Sequence, residues 1–260
     1  MTGAASLTLD IGELVGSFPS FRVALVAAAD LRIAPARSAA LSRFIEETER
    51  AVAAGIADTA LADLPQIRCW REAYRSFGVK KTSYRASVER LLKSVQRGGG
   101  LPRVNALVDT YNAISVLYRL PVGADDLDRV TPPLAFRFAR GSDSFIALGD
   151  AGRSLDPPKP GEVVYADAEK CLCRRWNWYQ DDRSATSATT RHAVLTIQSL
   201  EPDSSARLPS AAEQLSALLT EHCGARTRWA IADRDHPRVS VVFDRGPSPL
   251  PSGETAGRPR

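Results

Sequence analysis

An α+β fold is what this chain predicts: mixed or antiparallel sheets packed with helices in a single compact domain. Three observations carry that expectation. Apolar residues recur at helical spacing in several long segments of the first half. From about Thr131 onward, short β-like runs are separated by Gly, Asp and Pro. Helices and strands do not alternate in the strict order that parallel βαβ units require. With 260 residues, 44% hydrophobic and 25% charged, the chain can bury a substantial core and has ordinary globular usage.

The elements follow in order. In "FPSFRVALVAAADL" the run from Arg22 to Ala29 is short, apolar and β-capable, so an early strand is expected there. In "SAALSRFIEETERAVAAGI" Leu41, Phe44, Ile45 and Val52 form a helical stripe with charges between them. A second helix covers "LPQIRCWREAYRSFG" and ends at Gly78. A third runs through "KKTSYRASVERLLKSVQRGGG", capped by Thr82 or Ser83 and ended by Gly98 to Gly100, with Val88, Leu91, Leu92 and Val95 buried. A fourth lies within "LPRVNALVDTYNAISVLYRLP" and is stopped by Pro121. The later strands are "PLAFRFARG", "SFIALGD", "GEVVYAD", "AVLTIQSL", "RWAIAD" and "RVSVVFD", and the helix "SAAEQLSALLTEHCG" ends at Gly224. The domain is expected to span residues 1–244, and 245–260, "RGPSPLPSGETAGRPR", has the composition of a disordered tail.

Several function classes are weakly supported. No apolar run approaches the length of a membrane span, and the N-terminus lacks the pattern of a signal peptide, so a cytoplasmic protein without a membrane partner is expected. Cys69, Cys171, Cys173 and Cys223 do not complete a zinc spacing and fit reduced, buried thiols. The three histidines, His192, His222 and His236, form no metalloprotease motif, and neither a nucleophile elbow nor a phosphate-binding glycine loop is present. No cofactor or metal is expected, and the chain is expected to act as a monomer. The net charge of +4 is mild, so its distribution matters more than its size.

Two stretches concentrate polar groups. Asn105, Asp109 and Asn112 are spaced by four and three, which places them on one face of an otherwise apolar helix. Such groups can line a cavity, but Asn105 and Asp109 are equally the residues that cap helices and satisfy backbone. In "RRWNWYQDDRSATSATTRH" Trp176, Trp178 and Tyr179 flank Asn177, with Asp181, Thr186 and Thr189 close behind. Aromatic walls with polar tips suit a selective small pocket; the tryptophans serve as well to fill core.

The order of motifs through "SFGVKKTSYRASVERLLKSVQRGGGLPRVNALVDTYNAISVLYRLPVGADDLDRV" resembles the B3/B4 domain of the bacterial phenylalanyl-tRNA synthetase beta subunit, and more closely the free-standing B3/B4 proteins. Leu101-Pro102, Asn105, Val108-Asp109, Asn112, Pro121 and the Asp126–Leu127–Asp128 corner carry the resemblance, and "LGD", "KPGEVVYAD" and "CRRWNWYQDDRSATSATTRHAVLTI" continue it. In the synthetase that domain hydrolyses the ester of tRNA carrying the wrong amino acid, tyrosine in that case. The resemblance therefore implies a trans-editing deacylase acting on the acceptor end of a misacylated tRNA in translation quality control, with a B3/B4-like fold. The alternative it leaves open is a non-catalytic tRNA-binding or amino-acid-sensing module.

An aminoacyl ester is already activated, so its hydrolysis needs a positioned water, a cavity and oxyanion donors rather than a covalent nucleophile. On the resemblance, Asn112, Asp109 and Thr186 are the candidate catalytic residues. Asn105, Tyr111, Gly123, Trp176, Asn177, Trp178, Asp181 and Thr189 are the candidates for substrate binding, with Asp181 placed to pair with the α-ammonium. The synthetase pattern has a histidine where this chain has Gly123, which enlarges or reshapes the site, removes an imidazole and opens the choice of amino acid to aromatic or small hydroxylated side chains. Lys80, Lys81, Arg85, Lys93 and Arg97 make a basic segment broken only by Glu89, a plausible tRNA footprint.

Overall fold

The computed structural model describes residues 4–80, 83–150, 156–202 and 206–244. Strand β1 (Ala4–Asp10) is followed by a single helical turn, α1 (Gly12–Val15), and by β2 (Arg22–Ala29). Four helices come next: α2 (Ala39–Ile56), α3 (Pro65–Ser76), α4 (Ser87–Gln96) and α5 (Ala106–Tyr118). The strands β3 (Val122–Asp126), β4 (Leu134–Phe138), β5 (Val163–Ala166), β6 (Cys171–Arg174), β7 (Tyr179–Gln180) and β8 (Ala193–Ser199) precede α6 (Arg207–Cys223). The chain then closes with β9 (Arg226–Ala232) and β10 (Arg238–Asp244).

Two sheets result. One is antiparallel, ordered β3-β8-β2-β9; the other is mixed, ordered β10-β1-β4-β5-β6-β7, with β1 and β4 its parallel pair. The class is α+β. The run Arg22–Ala29 forms the strand that its apolar sequence predicts, and it lies inside its sheet with every residue after Arg22 buried. Ser38 caps α2 by accepting from the Leu41 amide, and Leu41, Ile45, Val52 and Ile56 face the core. Gly224 ends α6 in the left-handed conformation that glycine adopts without steric cost.

Three expectations change. Helix α4 begins at Ser87 behind Ala86, so Ser83 lies outside the helix and does not cap it; Thr82 falls outside the described residues. Helix α5 ends before Pro121, because Arg119 turns left-handed at φ 56° and the Leu120 amide donates back to the Ser115 carbonyl. "SFIALGD" forms no strand: its Ala147 makes only an isolated bridge to Asp181, and Leu148 bonds the Gln180 carbonyl. The expected tail, 245–260, lies outside the described residues.

One turn organises the mixed sheet. Arg175 and Trp176 have φ of 47° and 67°, consecutive left-handed residues that are not glycine. Backbone bonds hold them: the Trp176 amide donates to the Val163 carbonyl at 2.7 Å and the Arg175 amide to Oε1 of Glu162 at 3.0 Å. The indole of Trp176 is fully buried and meets Phe18, Phe21 and Trp70 edge-on at centroid distances of 4.7, 4.7 and 5.2 Å. Trp176 is therefore core, not pocket wall. Replacing it by alanine should destabilise the domain by about 3–5 kcal/mol in urea unfolding. A loss below about 1 kcal/mol would show that the ring cluster does not hold this turn.

Candidate functional site

Helices α4 and α5, strands β3 and β8, and the β5–β7 end of the mixed sheet enclose a cavity of about 570 Å³. That lies within the range of small-ligand pockets, roughly 300–1,000 Å³. Asn112 comes from α5 and Asn177 from the strained turn, and both line it. So do Tyr111, Gly123 and Trp178.

The wall on α5 is set by the helix start. Asn105 is its N-cap and accepts from the Val108 amide at 2.9 Å. Asp109 accepts from the Val104 amide at 2.9 Å and from Nε of Arg37 at 2.7 Å, while Nη2 of Arg37 donates to the Pro102 carbonyl at 2.8 Å. The polar stripe thus divides along its length. Its first two residues fasten the helix to the preceding loop and do not line the cavity. Asn112, two turns on, does line it, and its amide has no hydrogen-bond partner among the described residues.

The opposite wall is more tightly tied. Asn177 Oδ1 accepts from the Tyr74 hydroxyl at 2.9 Å, and its Nδ2 donates to Oε1 of Gln198 at 3.0 Å. Trp178 meets Tyr84 edge-on at 4.8 Å, and the Arg175 guanidinium lies 3.8 Å from the Tyr84 ring centroid and 4.5 Å from that of Trp178.

Other candidates lie elsewhere. Asp181 is fully buried and spends both oxygens on the Arg183 guanidinium and on the Ile146 and Arg183 amides, so none is left for a substrate ammonium. Thr186 and Thr189 follow the short 3-10 turn Asp182–Ser184 outside the cavity lining, and the Thr189 hydroxyl shares a bond of 2.9 Å with Ser187. In the basic segment, Arg85 and Arg71 both pair with the buried carboxylate of Glu89. Lys80 lines a separate small groove beside Trp70 and Tyr74. Lys93 lies in the last turn of α4 and Arg97 is its exposed C-cap, whereas Lys81 lies outside the described residues. Arg90 connects this helix to the cavity: it is exposed, lines the mouth, and donates to the Trp178 carbonyl at 3.4 Å.

Two features of strand β3 matter most inside. A Cβ built on Gly123 would meet nothing within 4 Å, so this residue leaves open space in the wall. Asp125, two residues on and therefore on the same face of the strand, is 5% exposed and lines the cavity. Its Oδ1 accepts from the Ser184 hydroxyl at 2.7 Å and from Nε2 of Gln180 at 2.9 Å. Burial pushes its carboxyl up to about 7, against those two bonds, which favour the ionised form. Sequence reasoning passed over Asp125 because an Asp-Asp pair reads as a turn. The period of two along β3, which separates Asp125 from Asp126, is the signal that would have found it. Asp126, on the other face, accepts from the Thr190 hydroxyl at 2.6 Å and from the Asp128 amide at 3.1 Å.

The B3/4 domain family model matches residues 69–224, which contain every residue lining the cavity. The beta subunit of phenylalanine–tRNA ligase from Fusobacterium nucleatum is 36% identical over 81 residues, 31% of this chain and 10% of that protein. The chain thus matches about a tenth of the length of that curated relative. Among solved structures, an N-terminal fragment of the phenylalanyl-tRNA synthetase beta subunit from Pyrococcus horikoshii aligns over 88% of this chain and 52% of its own, with 13% identity and a TM-score of 0.46.

The raised Asp125 pKa predicts a pH-dependent stability. An unfolded aspartate titrates near 3.9, roughly, so the folded chain holds this proton more tightly. Stability falls as pH rises from about 4 to about 7 and levels off above. Asp125→Asn keeps an oxygen for Ser184 and Gln180 and removes the titration. Urea unfolding should show the variant gaining on wild type by on the order of 2 kcal/mol between about pH 5 and about pH 8. A difference that does not change with pH would mean that the carboxyl ionises as it does in water.

Proposed function

The chain belongs to the B3/4 domain family, and from that premise we propose that it is an aminoacyl-tRNA deacylase, hydrolysing in trans the ester that joins a noncognate amino acid to the tRNA acceptor end. The observation that carries this reading is the cavity itself: it presents an uncommitted amide at Asn112, a fixed wall at Asn177 and Trp178, and a cation at its mouth in Arg90. The match of a B3/4 domain model across the whole cavity supports it.

The chemistry asked of the site is modest. Water attacks the ester carbonyl carbon, the bond to the ribose oxygen breaks, and the proton from water ends on that oxygen, relayed through the vicinal ribose hydroxyl. Asn112 donates from Nδ2 to the oxyanion that forms on the carbonyl oxygen, and its own oxygen can accept from ribose. Tyr111 and Trp178 bound the acyl group, and Gly123 gives its side chain room. Arg90, with Lys93 and Arg97 along the same helix, meets the phosphates of the acceptor strand by contacts that carry charge but little sequence information.

A panel of misacylated tRNAs, with aromatic and small hydroxylated amino acids, tests the reading by following release of the amino acid. Asn112→Ala should slow release by about 5–150-fold, the loss of one transition-state hydrogen bond, with the fold intact. Equal rates would remove Asn112 from the mechanism. Binding without release from any member of the panel would leave the chain a tRNA-binding module and not an enzyme.

A further inference from the structure

We propose that the inner end of the cavity is an ammonium site, in which Asp125, Tyr165 and Gln180 together hold a primary ammonium group of the acyl substrate. The identity of the ligand as an aminoacyl group rests on the deacylase reading above; the ammonium chemistry rests on the following geometry.

Oδ1 of Asp125 takes both of its protein donors, Ser184 and Gln180. Oδ2 has no hydrogen-bond partner among the described residues. The Tyr165 hydroxyl, in a residue only 3% exposed that lines the same cavity, has none either. Gln180 commits Nε2 to the Ala124 carbonyl at 2.6 Å and to Asp125, which leaves Oε1 as its remaining polar atom.

Sheet register puts these groups on one side. Tyr165 pairs with Cys173, and Cys173 with Gln180, so the three form a row across β5, β6 and β7. Residues directly opposite in a sheet project to the same face, about 5 Å apart per strand. Gln180 at the end of the row touches Asp125 on β3.

Three acceptors without a protein donor therefore belong to residues that line this cavity, the Tyr165 hydroxyl just beneath its surface, and a primary ammonium carries three N–H donors. Lys170, the cation that acts on Asp125, is already paired with Asp167 at 2.7 Å, and the nearby Arg183 with Asp181 at 2.8 Å. A buried carboxylate without an opposite charge is costly, and a bound ammonium supplies that charge. The upward push on the Asp125 carboxyl has the same origin. Asp181, the sequence candidate for this role, has no oxygen left to offer.

The ammonium has two possible sources, the α-amino group of any aminoacyl ester or the side chain of a lysine-like one. Three hydrolysis-resistant probes separate them: 3′-amino-3′-deoxyadenosine acylated through its 3′-amide with alanine, with N-acetylalanine, or with Nα-acetyl-lysine. Calorimetric titration of wild type should show alanyl binding roughly 10–100-fold tighter than N-acetylalanyl, as expected for charge-assisted hydrogen bonds. Recovery of affinity by Nα-acetyl-lysyl alone would assign the site to a side-chain ammonium instead, and would still support it. In Asp125→Asn the preference should collapse to within about threefold, with Tyr165→Phe between the two. The proposal is overturned if wild type binds none of the probes or all three equally, or if the preference survives in both variants. Preference for the free amine together with no release from the tRNA panel would retain the ammonium site and reject the deacylase reading.

Discussion

The Arg37–Asp109 pair, at 2.7 Å and almost wholly buried, is the contact on which the cavity depends. It ties the loop before α5 to the segment after β2, where the Ala106 amide also donates to the Ala34 carbonyl. With Asn105 capping the first turn, the starting point and rotation of α5 are both fixed. A helix carries each side chain about 100° round from the last, so fixing rotation at residue 105 fixes the direction of residue 112 as well. Asn112 lies further along that same face, past the loop that Asn105 and Asp109 fasten, and there it lines the cavity. Removing Asp109 would strand a buried guanidinium, the situation in which a broken ion pair is most destabilising.

The second anchor works on the other wall by a different means. Two successive left-handed residues, Arg175 and Trp176, are unfavourable for the backbone, at about 1–3 kcal/mol each. Burial of the Trp176 indole among Phe18, Phe21 and Trp70 offsets that cost, and Glu162 binds both the Arg175 amide and the fully buried Arg174 guanidinium. The reversal that sends Trp176 into the core sends its neighbours Asn177 and Trp178 into the cavity. Backbone strain and aromatic packing are thus two sides of one device that aims these residues.

How legible this was in the sequence follows from the range of each interaction. The apolar run of β2, the stripe of α2 and the Gly224 stop of α6 are local patterns, and local patterns can be read; the Ser38 cap of α2 went unremarked. The stripe 105–109–112 was visible as a stripe, but not its division of labour, because the partner of Asp109 lies 72 residues away. Trp176 and Trp178 look alike in sequence and separate only when the positive φ values are known. Asp181 offers a carboxylate as plausible in sequence as that of Asp125, but it lies outside the cavity lining with both oxygens taken by the Arg183 guanidinium and two backbone amides. "SFIALGD" has strand composition without a strand, because its bonds go to Asp181 and Asp182 from the side.

Gly123 and Asp125 share one face of β3, and on the proposed reading they supply room and charge in a cavity whose lining holds no histidine. The open space at Gly123 admits a side chain, and the carboxylate that follows is buried deeply enough to be raised to about 7. A carboxylate so placed reduces the stability of the empty fold at neutral pH and recovers that free energy only when a donor arrives. Binding energy of this kind can hold a substrate in position for a water molecule without any covalent step. On the proposed deacylase reading, the polar groups that the helices and the tryptophan turn hold in place serve to orient the substrate, and for an ester already activated orientation is the larger part of what a catalyst must supply.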